Sequence, residues 1–200
     1  MNESPALTGS GKDLPLARVL PYMKRGHQTS DVKPSATTSP LPAGIHVRPL
    51  EPSDRHRLAA LFKRLSPESR RRRFLVPKPE LSERELRYLT AVDHHWHEAL
   101  AAVDRRDGSI VGIARYVGLA GRPTAADVAF AVADEQQRRG IGTALARCLI
   151  GRARVNGFDV LTASTLWENR PARVLLRRLG FRARGSEGNV IELELDLWAA

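Results

Sequence analysis

Residues 135–149 read EQQRRGIGTALARCL, a polar stretch with two close glycines set directly ahead of apolar positions at helical spacing. The spacing predicts a helix beginning near Arg138, with Ile141, Leu145, Cys148 and Leu149 on one face and a stop at Asn156-Gly157. The amides of Arg138, Arg139, Gly140, Ile141, Gly142 and Thr143 then fall in a first turn. Such amides lack intrahelical partners and sit at the positive end of the helix dipole. That is an anion cradle. Glycine at 140 and 142 removes Cβ atoms that would hold a phosphate away, and the two arginines add charge at the rim, so a pyrophosphate is the natural guest. A Rossmann fingerprint would need a third glycine where Leu145 stands, and a P-loop would need Gly-Lys-Ser/Thr. What remains is Q-x-x-G-x-G after a strand, with a helix start whose glycines serve only close packing as the other reading.

The 200-residue chain is long enough for a sizeable core, and its 42% hydrophobic and 27% charged content is that of ordinary globular chains. No apolar run reaches bilayer length, and the N-terminus has acidic residues and no long apolar segment, so a cytoplasmic protein with no membrane partner is expected. Cys148 is the single cysteine, which excludes an internal disulfide and a cysteine-rich zinc site. The net charge of +10 calls for an anionic partner. Arginine dominates that charge and no nucleic-acid-binding signature accompanies it, so nucleic acid is not the expected partner.

Residues 1–43, rich in Ser, Thr and Pro, read as a flexible tail, and 44–200 as the folded domain. IHVRPL is a short strand. Leu58, Leu61, Phe62 and Leu65 mark an amphipathic helix. SPESRRRRF starts a second helix whose arginine run reads as a solvated face, and LSERELRYLTA a third, opened by a Ser82/Glu85 capping box. EALAAVD, SIVGIARYVG and ADVAFAVAD are three strands joined by Asp107-Gly108 and by Gly121-Arg122-Pro123, hence antiparallel neighbours. In the last, Val128, Phe130 and Val132 face one way while Asp127, Ala129, Ala131 and Ala133 face the other. FDVLTAST is a strand, NRPARVLLRRLGF a helix closed by Gly180, and NVIELELDL a final strand. The fold class is a mixed α/β arrangement with helices packed on a sheet.

FAVADEQQRRGIGTAL and NRPARVLLRRLGF together resemble the strand-loop-helix and Asn-led helix motifs of the GNAT superfamily of acyl-CoA-dependent N-acyltransferases, and the order of elements matches from about Gly44 onward. The resemblance implies a mostly antiparallel mixed sheet, splayed at the acyl-CoA site, with helices on both faces. It implies acetyl-CoA as co-substrate, its pyrophosphate held by the Arg138–Thr143 amides and the Gln137 side chain. The pantetheine arm would lie along the backbone of Phe130, Ala131 and Val132, which agrees with the small-residue face. Asn169 would sit near the other end of that arm, or cap its helix, or both.

Transfer to an amine needs a proton acceptor, because a lysine with pKa near ~10.4 is protonated at neutral pH. Asp127, flanked by Ala125, Ala126, Val128 and Ala129, is the expected general base, partly desolvated and raised in pKa. Its alternative is a solvated strand-edge residue. LSPESRRRRF, LTAVDHHWHEAL, GIARYV and ADVAFAV add a resemblance to the catalytic domain of bacterial protein lysine acetyltransferases, including those that modify acyl-CoA synthetases. That group has an acidic residue, usually Glu, where Asp127 stands. It implies direct transfer to an exposed protein lysine, an acyl-CoA synthetase among the candidate partners. A small-molecule amine or a non-catalytic acyl-CoA-binding module are the alternatives. Many relatives have a tyrosine as general acid where this chain has Leu176. His94, His95 and His97, with Asp93 and Glu98, match no familiar metal spacing, so no metal is expected, and Trp96 is expected to cover the sheet edge.

Overall fold

The computed structural model describes residues 41–199, so all but the last three residues of the expected tail over 1–43 lie outside the described residues. A seven-stranded sheet carries the fold in the order β1-β2-β3-β4-β5-β7-β6. Its strands are β1 (Ile45–Pro49), β2 (His97–Asp104), β3 (Ile110–Leu119), β4 (Arg122–Val132), β5 (Val160–Leu166), β6 (Arg182–Glu187) and β7 (Val190–Asp196). The helices are α1 (Arg55–Lys63), α2 (Pro67–Phe74), α3 (Glu83–Thr90), α4 (Ile141–Val155) and α5 (Arg170–Arg178). Every strand pair is antiparallel except β4–β5.

Local chemistry explains where the elements begin. Ser66 caps α2 by accepting from the Ser69 amide at 3.2 Å, and the Ser82/Glu85 capping box opens α3 as its sequence predicts. Gly121 turns β3 into β4 at φ +81°, a conformation that strains any side chain. The strand accordingly starts at Arg122 rather than after Pro123. The β6 strand, RARGSE, is exposed along its whole length; with no apolar alternation, it forms because β7 offers it an open edge.

Period-two alternation splits the interior in two. Leu100, Ala102, Ala114, Tyr116, Ala126 and Val128 face α4, where Ile141, Leu145, Leu149 and Ala153 complete the larger cluster together with Leu176 of α5. Ala99, Ala101, Val103, Ile110 and Ile113 face the other way, against Leu58 and Leu61 of α1 and Leu86 of α3. Helices therefore cover both faces, and β2 is buried at every position. Glu98 within it is fully buried, held by Arg152 at 2.7 Å and by His94 Nδ1 at 2.7 Å. Trp96 does not cover the sheet edge as expected but lies over Gly118 of β3, an interior strand. A Cβ at 118 would come within 2.2 Å of the indole, so only glycine fits beneath the ring. Among the described residues, no helix is long and apolar enough to cross a membrane.

Candidate active site

The sheet opens where β4 meets β5. Parallel pairing runs only through Ala125↔Val160, Ala126↔Leu161 and Asp127↔Thr162, whereas β4 stays paired to β3 as far as Val132. Residues 128–132 thus have a strand neighbour on one side alone among the described residues, and their other edge borders a cleft. Asp127 stands at its vertex. The Thr162 hydroxyl donates to Asp127 Oδ1 at 2.9 Å, and the carboxylate faces the α1–α3 side, opposite Val128 and Phe130, which pack toward α4.

Past the open end of β4 the chain makes a 3-10 turn, Asp134–Gln136, and then the loop into α4. The helix begins at Ile141, later than the sequence spacing predicts. Arg138 and Gly140 take left-handed φ values of +59° and +84°, so 138–140 form a turn ahead of the helix rather than its first turn. The regular ladder starts with the Ala144 amide donating to Gly140 O at 3.0 Å. The amides of Ile141, Gly142 and Thr143 precede that ladder and lie at the positive end of the dipole. Nothing lies within 4 Å of a Cβ built on Gly140. One built on Gly142 would project between Val132 Cγ2, at 3.8 Å, and Leu175 Cδ2, at 3.6 Å, into the gap between β4 and α5. The Gln137 side chain turns back, donating to Val132 O at 3.1 Å and Asp134 Oδ1 at 3.0 Å. It shapes the loop; the Arg139 side chain likewise bonds back to Gln136.

Asn169 caps α5, its Oδ1 accepting from the Ala172 amide at 3.3 Å. Leu176 is buried in the core, with no phenol at its position. Cys148 is partly buried against the larger core cluster, and burial pushes its thiol pKa up. Among the described residues, no three metal-binding side chains come together. His97 instead pairs with Arg115, and His94 with Glu98.

The sequence reading takes the arginine run of α2 as a solvated face; Arg71 and Arg72 stay about a third exposed, and Arg73 departs from it by turning inward. All four arginines are partly buried, because α2 lies across the mouth of the cleft and touches both β4 and β5. Arg70 stacks on Phe62 at 4.6 Å and donates to Leu65 O at 2.9 Å. Arg71 ties Glu68 of its own helix to Glu168, which follows β5. Arg73 is turned inward toward Asp127 and Arg115: burial lowers its pKa to about 10 while the Asp127 charge opposes that fall.

Residues 61–181 match the Acetyltransferase (GNAT) family. The chain is 37% identical to an acetyltransferase of Pseudomonas aeruginosa over 139 residues, covering 68% of this chain and 74% of that protein. It is 31% identical over 170 residues to the acetyltransferase Pat of Mycolicibacterium smegmatis, covering 82% of this chain and 50% of Pat. The crystal structure of the GNAT domain of S. lividans PAT superposes with a TM-score of 0.70 at 30% identity, covering 75% of this chain and 89% of that domain. The chain belongs to the GNAT acetyltransferase family. It is an N-acetyltransferase that uses acetyl-CoA as acyl donor.

Proposed function

We propose that the chain transfers an acetyl group from acetyl-CoA to the side-chain amine of a protein lysine, with Asp127 as general base. The observation that carries this reading is the end of β4–β5 pairing at Asp127↔Thr162, which sets a carboxylate at the vertex of the cleft. Acetyl-CoA supplies an activated thioester at that place. The residues present fit it. The free edge of Phe130, Ala131 and Val132 offers backbone N–H and C=O groups to an amide-bearing arm. The Arg138–Thr143 loop and helix start offer amides to a pyrophosphate. The gap beside Gly142 stays open only because no Cβ stands there, and Asn169 fixes the start of α5 across that gap.

Asp127 accepts the proton that the lysine ammonium must lose before its nitrogen attacks, and the Thr162 hydrogen bond holds its carboxylate toward the α2 side. Transfer is direct, because Cys148 packs against the core and its raised pKa disfavours the thiolate. Support for a protein acceptor is the resemblance of LSPESRRRRF, LTAVDHHWHEAL, GIARYV and ADVAFAV to bacterial protein lysine acetyltransferases; the chain covers half of acetyltransferase Pat and most of the S. lividans PAT GNAT domain. An acyl-CoA synthetase with an exposed lysine is the partner first tried, and the single cysteine, which can form no internal disulfide, suits a cytoplasmic setting.

The test is thiol release from acetyl-CoA in the presence of a lysine-bearing protein or peptide, with mass spectrometry of the acceptor. Asp127→Ala should lower kcat by about 10²–10⁴ with little change in the Kd for acetyl-CoA. Turnover equal to the parent across neutral pH would remove Asp127 as base. Acetylation confined to small amines would replace the lysine acceptor.

A further inference from the structure

On the Asp127 face of the sheet, α1, α2 and the β3–β4 pair enclose a cleft lined by Leu58, Leu61, Phe62 and Ile113 and, among polar residues, by Arg73 and Arg115 alone. Register fixes its relation to the reaction centre. Arg115 is opposite Ala129 and Asp127 is opposite Val117, so Arg115 is the diagonal cross-strand neighbour of both Asp127 and Ala131 on one face. Ala131 also lines the cleft. The cleft is therefore continuous with the strand assigned to acyl transfer.

Arg115 is only 4% exposed. One of its guanidinium NH₂ groups donates to Leu89 O at 2.9 Å and meets His97 Nε2 at 2.6 Å. Both partners are uncharged: burial first, and then the Arg115 charge, push the His97 pKa down to about 3. Among the described residues, Arg115 Nε has no hydrogen-bond partner. Among the described residues no carboxylate lines the cleft, and the acid facing Arg73 is Asp127, which the transfer itself uses. Burial, then the neighbouring Arg73 charge, lower the Arg115 pKa to about 9, with only the Tyr88 phenol opposing them. Buried guanidinium groups are ordinarily matched by a carboxylate. Here the buried Arg115 has no such partner among the described residues, the partly exposed Arg73 stands beside it, and an apolar sleeve leads to both.

We propose that this cleft is a carboxylate-recognition subsite, in which Arg115 and Arg73 hold an acidic group at the end of an aliphatic segment of the substrate. This deepens the acyl-transfer reading of β4 and rests on it for the direction from which the substrate enters. Two parts of the substrate could bring the carboxylate: an acyl group ending in one, as in succinyl-CoA, or an acidic side chain beside the acceptor lysine. The chemistry is the same, an alkyl stem against leucine and phenylalanine and a carboxylate on guanidinium N–H groups.

Calorimetric binding separates the sources. In one arm the full-length chain is titrated with succinyl-CoA and with butyryl-CoA, which match in chain length and differ by the carboxylate. In the other, the CoA-bound chain is titrated with two lysine peptides that differ only by Glu or Gln beside the lysine. A charge-assisted hydrogen bond predicts that the acidic member binds about tenfold to a hundredfold more tightly in at least one arm, and the responding arm names the source. Arg73→Gln and Arg115→Met should each collapse that ratio toward unity; the partly exposed Arg73 keeps the test usable if Arg115→Met does not fold. Equal affinities in both arms, or a ratio that Arg73→Gln leaves intact, overturn the subsite. Thiol release from acetyl-CoA, followed in parallel, reports on the transfer reading by itself. If the parent chain shows the acidic-member preference but releases no thiol from acetyl-CoA with any acceptor, the reaction falls and the subsite stands.

Discussion

Replacing Gly142 by alanine should move stability and cofactor affinity in opposite directions, and the structure gives the size of each. Gly142 lies in the first turn of α4 with no positive φ. A Cβ there would make ordinary van der Waals contacts, 3.6 Å to Leu175 Cδ2 and 3.8 Å to Val132 Cγ2. The fold therefore has no steric reason for glycine. Alanine in a helix is favoured over glycine by roughly 0.5–1 kcal/mol, mainly because the unfolded chain loses freedom. For a domain of this size that is a rise in Tm of about 1–4 °C. On the proposed placement of the acyl donor, the same methyl group would intrude on the gap between β4 and α5 and hold a phosphate away from the first-turn amides. Losing one charge-assisted hydrogen bond costs about 1.5–3 kcal/mol, which weakens the Kd for acetyl-CoA by about tenfold to a hundredfold. Differential scanning calorimetry and isothermal titration with acetyl-CoA on the same preparation would read both. An unchanged Kd beside a raised Tm would refute the assignment of this glycine to the ligand. A fall in both would show that the packing was misjudged.

Two further perturbations probe the scaffold that holds the cleft. Gly118→Ala forces the Trp96 ring to move, since the new Cβ would fall within 2.2 Å of it while the Gly118 amide donates to Trp96 O at 2.8 Å and pins the backbone. Overpacking of this kind costs about 1–3 kcal/mol, and a lowered Tm with altered tryptophan emission is expected; an unchanged Tm would count against it. Acid should weaken the link between β1 and the start of α1. The bidentate Arg48 contact, at 2.6 and 2.7 Å, holds the Asp54 carboxyl down to about 2 from an ordinary value of 3.8. Its contribution is fully present above the unfolded pKa and is lost as pH falls through the folded one. Denaturant titrations from pH 5 to pH 2 should show a decline of about 2 kcal/mol in the parent from this group, and a shallower decline in Asp54→Asn. Parallel curves would remove Asp54 from the acid response.

The chain of strands and helices was legible because each carries its own signal. Leu58, Leu61, Phe62 and Leu65 mark α1 by period, Ser82 and Glu85 open α3 by mutual capping, and Asp107-Gly108 and Gly121 close the hairpins that make β2, β3 and β4 neighbours. All of these are local, set by side chains within a few residues, and they led to the family through the loop before α4 and the Asn169 helix. β6 carried no such signal, because an exposed edge strand needs only a neighbour's free backbone groups. The start of α4 lies later than the spacing implies, because polar residues before a helix do not fix φ and Arg138 and Gly140 take left-handed values there.

What the sequence by itself determined is most of the helices and strands, the alternation that sets Asp127 opposite Phe130, and the glycines of the loop, since each depends on residues adjacent in the chain. Only the tertiary structure decided that β4–β5 pairing stops at Asp127, that α2 touches both strands and leaves its arginines partly buried, and that Arg115 lies buried with neutral hydrogen-bond partners beside the Arg73 charge. Those facts depend on how far two strands run together and on which helix lies across them. Such long-range packing balances burial of apolar surface against the cost of burying charge over the whole sheet, and no single stretch of sequence encodes it.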